Sequence, residues 1–289
     1  MTGLPDADLS VQLTGLYVHP VKSCGGLAPD EALLIETGLE FDRAWMVVDA
    51  RGRFVTQRHV PRMALIQPTL KALDMVLRAP GMLALHLPLG EVGAAVRVTV
   101  WNDEVSAYDM GDPAAQWFSD FLEQPLRLVR FDPDQKRLAS AQWTGPIAAE
   151  AAFSDEYPLL VASQASLDEL NRRLAASGAS PVTMQRFRPN LVLDGLDANG
   201  EDHLDEVRFE TPEGPVRLKL VKPCSRCSIP DVDPVSAETG HAVGDALAAY
   251  RADARLNGAI TFGMNAVIVE GIDCTLRAGL VGGATYRFE

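Results

Sequence analysis

The segment Lys222-Pro-Cys-Ser-Arg-Cys227 sets two thiols three residues apart, directly after the apolar run Val216 to Val221. A Cys-x-x-Cys pair at a strand end admits four readings. Structural zinc needs four ligands, usually two such pairs or one pair with histidines. Here Cys24 and Cys274 are isolated, and His203 and His241 are not spaced as a finger. A redox dithiol wants the pair opening a helix, and Pro230 and Pro234 oppose a helix there. The third reading is two strand-end cysteines without chemistry. In the fourth, one thiolate binds a soft metal, with Arg226 and Lys222 stabilising its negative charge. Spacing alone leaves all four open.

Two further clusters carry fixed charge. His19-Pro-Val-Lys-Ser-Cys-Gly-Gly26 is a Gly-rich turn that can offer backbone N–H groups, Lys22 and Ser23 to an oxyanion such as phosphate. The Walker order is absent, and a solvated turn is the plainer reading. Arg186-Phe-Arg-Pro-Asn190 opens a strand, and Arg188, standing before proline, is expected to be extended with its fork in a fixed direction. Asp42-Arg43 stands similarly at a strand entrance. Each Arg also reads as a surface salt-bridge partner.

The elements that position these residues are mostly short strands. They are expected at Leu13 to Val18, Ala44 to Val48, Arg53 to Thr56, Val96 to Trp101, Leu126 to Phe131, Phe187 to Leu193, Val216 to Val221, Asn265 to Glu270 and Tyr286 to Phe288. One helix is expected from an Asp112 N-cap with Pro113 at N1, its apolar face made by Trp117, Phe118, Phe121 and Leu122. A second starts at Ser166, where Ser166 and Glu169 have capping-box spacing. The polar stretch 132–157, with Pro133 and Pro146, reads as a long connection between a β-rich segment 1–131 and a second unit 158–289. The fold class is α+β built on barrel-like sheets.

Composition limits the partners. The 289 residues carry 39 acidic and 26 basic side chains, a net charge of −13. That argues against nucleic acid or an anionic membrane as the main partner, but not against a small anion in a local basic pocket. No run reaches the roughly 18 apolar residues of a membrane helix. The start MTGLPDADLSVQL lacks the pattern of a signal peptide. Four cysteines are too few for a disulfide scaffold, so a soluble, cytoplasmic protein is expected.

Taken in order, H-P-V-K-S-C-G-G (19–26), D-R-A-W-M-V-V-D (42–49), G-R-F-V-T-Q-R (52–58), S-D-E-Y-P-L-L (154–160), R-F-R-P-N (186–190) and K-P-C-S-R-C (222–227) resemble the MOSC family. These are relatives of the molybdenum cofactor sulfurase C-terminal domain, here closest to the amidoxime-reducing components and their bacterial counterparts. The likeness runs over about residues 12–288. It implies an N-terminal MOSC-associated β-barrel-like domain, then a MOSC β-barrel with a few helices, and a molybdenum cofactor (Mo-molybdopterin) between them. By motif position Cys227 would ligate molybdenum and Asp155 would lie beside the metal. Lys22, Ser23, Arg43, Arg188, Asn190, Ser225 and Arg226 would hold the pterin and its phosphate. The implied chemistry is reduction of small N-hydroxylated compounds by oxygen-atom transfer. Electrons would come from an external donor protein of ferredoxin, flavodoxin or cytochrome type, because no [2Fe–2S] cysteine cluster precedes Glu289. The alternative is a cofactor carrier or sulfur-transfer module. His19 replaces the tyrosine of better-known members, and Pro230-Asp231 replaces two threonines, so Asp231 could add a carboxylate near the metal.

Overall fold

The computed structural model describes residues 7–288. The first part of the chain forms β1 (Leu9–Leu16), β2 (Glu31–Ile35), β3 (Gly38–Leu39), β4 (Trp45–Asp49), β5 (Gln67–Leu70) and β6 (Asp74–Arg78). It continues through β7 (Leu85–Pro88), β8 (Ala95–Val100), β9 (Asp103–Asp109), helix α1 (Asp112–Leu122) and β10 (Leu126–Phe131). The second part holds α2 (Ala141–Thr144), β11 (Leu159–Ser163), α3 (Gln164–Ala176), β12 (Leu191–Asp194), β13 (Leu204–Thr211) and β14 (Gly214–Ser225). It ends with α4 (Ala242–Ala248), β15 (Ala252–Asp253), β16 (Ala259–Glu270), β17 (Thr275–Arg277) and β18 (Val281–Tyr286).

The largest sheet runs β11-β12-β1-β18-β13-β14-β16, and β16 pairs back onto β11. Seven strands therefore close a barrel, with β15 hung on the flank of β16. Period-two alternation drives it. On β14, Val216, Leu218 and Leu220 are buried while Arg217 and Lys219 lean out. These meet Leu13, Leu193, Val207 and Phe209 in one core, each such burial contributing about 1.5–3 kcal/mol. β1 is threaded between β12 and β18, and β2 pairs with β17. The start of the chain thus belongs with its end rather than with the rest of 1–131.

The remaining strands make a half-barrel. β4-β10-β9-β8 form one sheet and β5-β6-β7 a meander. α1 lays Phe118 and Phe121 over Trp45, Met75 and Leu128. The expected α+β architecture of two β-barrel-like units with few helices holds.

Local expectations shift for identifiable reasons. Gly111, not Asp112, caps α1: Asp109 already accepts from the Gly111 N–H at 2.7 Å, and Asp112 turns to Arg127 at 3.0 Å. α3 is capped three residues early by Ser163, whose hydroxyl accepts from the Ser166 N–H. Ser166 instead donates its hydroxyl to buried Glu201 at 2.7 Å. Arg53 to Thr56 makes only isolated bridges to Val48 and Thr99. A 3₁₀ turn at Met184–Arg186 delays the next strand to Leu191, and the C-terminal strand begins at Val281. The 132–157 connection is ordered by α2 and a Leu138–Glu150 bridge.

Candidate functional site

A cleft of about 650 Å³ opens where the half-barrel meets the barrel. All nine residues singled out from sequence line it: Lys22, Ser23, Arg43, Asp155, Arg188, Asn190, Ser225, Arg226 and Cys227.

The barrel wall carries the thiols. β14 ends at Ser225, and the Arg226 N–H bonds to Ile260 O at 2.8 Å, turning the chain outward. The Arg226 guanidinium is engaged locally, with Nη1 donating to Cys224 Sγ at 3.1 Å and Nη2 to Phe187 O at 2.9 Å. Cys224 is therefore occupied while Cys227 is exposed, and all four cysteines are free. Lys222, expected beside the thiols, pairs instead with Glu156 across the cleft floor. The cation facing the Cys227 sulfur is Arg58, from the half-barrel. Among the described residues no group of three or more His, Cys, Asp or Glu side chains is placed to hold a metal ion.

Lys22 is buried, its Nζ donating to Phe153 O at 2.7 Å and Asp155 Oδ1 at 2.5 Å. Burial lowers its pKa, against the opposing pull of Asp155. The half-exposed Asp155 carboxylate also accepts from Arg58 Nη2 at 3.1 Å and from the Trp101 indole N–H at 3.1 Å. Burial works against its ionisation, but Lys22 and Arg58 outweigh burial and hold it far below the usual carboxylate range. Arg137 fixes this loop by donating to Ala152 O, Ser154 O and Asp155 O while paired with Asp103.

Arg43 pairs with buried Asp42 and donates Nη2 to Arg188 O at 2.8 Å. Burial alone would raise the Asp42 carboxyl, but Arg43 and His19 hold it at about 2. Asn190 spends its amide oxygen on Leu160 N–H and Arg43, and its Nδ2 on Tyr17 O. It ties β11, the end of β1 and Arg43 together. Arg188 donates Nη1 to Cys24 O at 2.6 Å, and its pKa is lowered to about 9 by burial and by Arg43.

Arg188 is not extended. Its φ is +56°, because its N–H closes onto Gln185 O after the 3₁₀ turn before Asn190 joins β11. Ser23 and Arg43 also have positive φ, at +67° and +49°. Three site residues thus hold a backbone conformation that side chains disfavour. The Gly-rich turn does not cradle an anion with its amides: Cys24 N–H goes to Val21 O and Gly25 N–H to Ile66 O. Its glycines are packing devices, since a Cβ on Gly26 would lie 2.6 Å from the His19 ring. Cys24 is a core residue, its thiol pushed up to about 12 by burial. Asp231 lies off the cleft and caps α4 through the N–H groups of Val243 and Gly244.

Among the cleft residues not singled out as site residues from sequence are Arg58, Trp101 and Arg137. Arg58 closes the motif G-R-F-V-T-Q-R, and Trp101 in a two-residue turn is unusual enough to notice. Arg137 lies in an aperiodic segment with no such signal.

The charge on the cleft is unbalanced. Lys22, Arg43, Arg58, Arg137, Arg188 and Arg226 line it against three carboxylates, Asp103, Asp155 and Glu156, with Asp42 behind Arg43, in a chain of net charge −13. Arg58 Nε, Arg188 Nη2 and Arg226 Nε are buried without a partner. Unpaired guanidinium N–H groups around a cavity are the donor set for a phosphate-bearing anion.

The MOSC N-terminal beta barrel domain model matches residues 10–125 and the MOSC domain model residues 148–279. The chain is 37% identical over 228 residues to human mitochondrial amidoxime-reducing component 1, covering 76% of this chain and 65% of that protein. It is 34% identical over 237 residues to the same component of Danio rerio, covering 79% of this chain and 70% of that one. Bovine molybdenum cofactor sulfurase is 31% identical over 248 residues, which is 80% of this chain but 28% of the sulfurase.

Proposed function

Since the chain belongs to the MOSC family, we propose that it binds the molybdenum cofactor in the interdomain cleft and reduces small N-hydroxylated compounds with electrons from an external donor protein. The observation that carries this reading is the pairing of one exposed free thiol, Cys227, faced by Arg58, with buried guanidinium groups that keep unpartnered donors. That donor set fits the group. A dithiolene-bound molybdenum needs one protein sulfur, and its pterin phosphate needs fixed cations.

Cys227 supplies the sulfur and Arg58 a cation for the negative charge that collects beside it. Arg188, Arg43 and Lys22, with Ser23, Ser225 and Arg226, hold the pterin and phosphate, while Asn190 and Arg137 fix the walls. Bound there, the cofactor supplies two-electron removal of oxygen from an N–OH group, the oxygen leaving as water after two electrons and two protons. Asp155 stays ionised, so it accepts hydrogen bonds and orients Lys22 and Arg58 rather than giving a proton. A reducing, cytoplasmic compartment suits four free thiols. A cofactor carrier without reductase activity is the second reading, favoured by the likeness to molybdenum cofactor sulfurase.

The test is elemental analysis of protein made in a cofactor-producing host. Molybdenum near one equivalent, lost in Cys227→Ala, supports the site. Zinc, or molybdenum unaffected by that change, overturns it. Bound pterin that passes to an apo-enzyme with no reduction by any donor favours the carrier.

A further inference from the structure

Trp101 stands out on backbone grounds. It is the first residue of the two-residue loop joining β8 to β9, between the paired Val100 and Asp103, and its φ is +54°. Two-residue hairpins that need positive φ at this position normally use glycine, asparagine or aspartate, because a bulky side chain costs energy there. A tryptophan is held in that conformation only where the surroundings over-determine it. Here the indole N–H donates to Asp155 Oδ1 at 3.1 Å, the Arg58 guanidinium lies 4.9 Å from the ring centroid, and Phe54 packs against the ring at 5.1 Å.

With those contacts Trp101 is still 46% exposed at the cleft, which Leu138, itself 59% exposed, also lines. The other large apolar side chains of the lining are buried or half-buried, so Trp101 and Leu138 are its exposed apolar groups. One guanidinium separates Trp101 from Cys227: Arg58 has Trp101 on one side and the Cys227 sulfur facing it.

We propose that Trp101 is a specificity-determining residue, a flat platform that receives the aromatic or planar apolar part of a substrate whose reacting group points toward Cys227. This rests on the reductase reading and sharpens its substrate class. An aromatic ring laid on an exposed indole buries apolar area and gains stacking geometry. A small aliphatic substrate reaching the same reacting position gains neither. Leu138 adds exposed apolar surface to the same cleft.

The test compares benzamidoxime with N-hydroxyurea as substrates of the molybdenum-loaded protein, in the parent, Trp101→Ala and Trp101→Phe. In Trp101→Ala the preference for benzamidoxime in kcat/KM falls about tenfold, carried mainly by KM, as one ring–ring contact of about 1.4 kcal/mol requires. Trp101→Phe keeps a ring but loses the N–H bond to Asp155, and restores most of the preference. Equal losses for both substrates, or a Phe variant as poor as Ala, overturn the platform and leave Trp101 as a prop for Asp155. Benzamidoxime binding to unreacted protein, read by dialysis, separates this from the reductase reading. Binding that weakens in Trp101→Ala while the parent turns nothing over keeps the platform and sinks the reductase. Equal binding in parent and Trp101→Ala sinks the platform.

Discussion

Two groups of buried charge lie in this molecule, and they are built on opposite plans. Beside the barrel, Arg251 makes a two-pronged pair with Asp202 at 2.6 and 3.1 Å and gives its remaining donors to Thr261. Next to it Glu201 accepts from the hydroxyls of Ser163 and Ser166 at 2.8 and 2.7 Å. Each Arg251 nitrogen and both serine hydroxyls find an acceptor inside the fold. In the cleft the cations outnumber the carboxylates, and three guanidinium nitrogens are left without partners. Charges that serve folding close on one another; charges that serve a ligand leave donors spare and carry the desolvation cost until it arrives.

The sharpest way to break the contrast is to cut each plan once. Arg251→Met strands the Asp202 carboxylate in the interior and is expected to remove about 3–5 kcal/mol of stability, read from urea unfolding. A loss under about 1 kcal/mol would mean that the balanced group is not structural.

Arg188→Gln is expected to behave the other way. It removes a buried cation that makes no ion pair within the fold, so cofactor-free stability changes by less than about 1 kcal/mol or rises, while molybdenum retention falls about tenfold or more. The pH dependence gives a second check. Arg188 titrates at about 9, lowered by burial and then by Arg43. The folded chain releases this proton before the unfolded chain does, so cofactor-free stability climbs as pH rises past 9 and retention of the anionic ligand declines over the same span. Arg188→Gln flattens both profiles. A profile in the parent with no slope above pH 9 would contradict the reading.

The smallest effect belongs to Glu201, whose carboxyl is raised by burial despite the Ser166 and Ser163 hydrogen bonds. The folded protein holds this proton more tightly than the unfolded chain, so the contribution of Glu201 to stability is greatest in acid and is lost as pH rises through the folded pKa. Thermal melts from pH 4 upward should show that decline in the parent and not in Glu201→Gln.

Residue types alone suggested cations for an anion and a thiol for a soft metal, while the full set of nine, Asp155 and Ser225 included, was named through the family resemblance. The nine residues named from sequence converge although they come from positions 22 to 227. What escaped was set by tertiary partners. Ser163 took the cap from Ser166 because buried Glu201 claimed the Ser166 hydroxyl. Arg188 left the extended region because the 3₁₀ turn before it had to be closed. Lys222 faces Glu156 instead of the thiols, and Asp231 caps a helix instead of facing the cleft. The threading of β1 into the far barrel leaves no local pattern, since a strand's alternation does not name its neighbour.

That threading governs how the molecule is made. Leu9 pairs with Ala284, so this edge of β1 stays open until β18, more than 260 residues later in the chain, has been made. Contacts of such long sequence separation form slowly and leave strand edges open to wrong partners meanwhile. The cleft cannot be whole until the barrel shuts, so any ligand of the cleft would have to enter after β1 and β18 have paired.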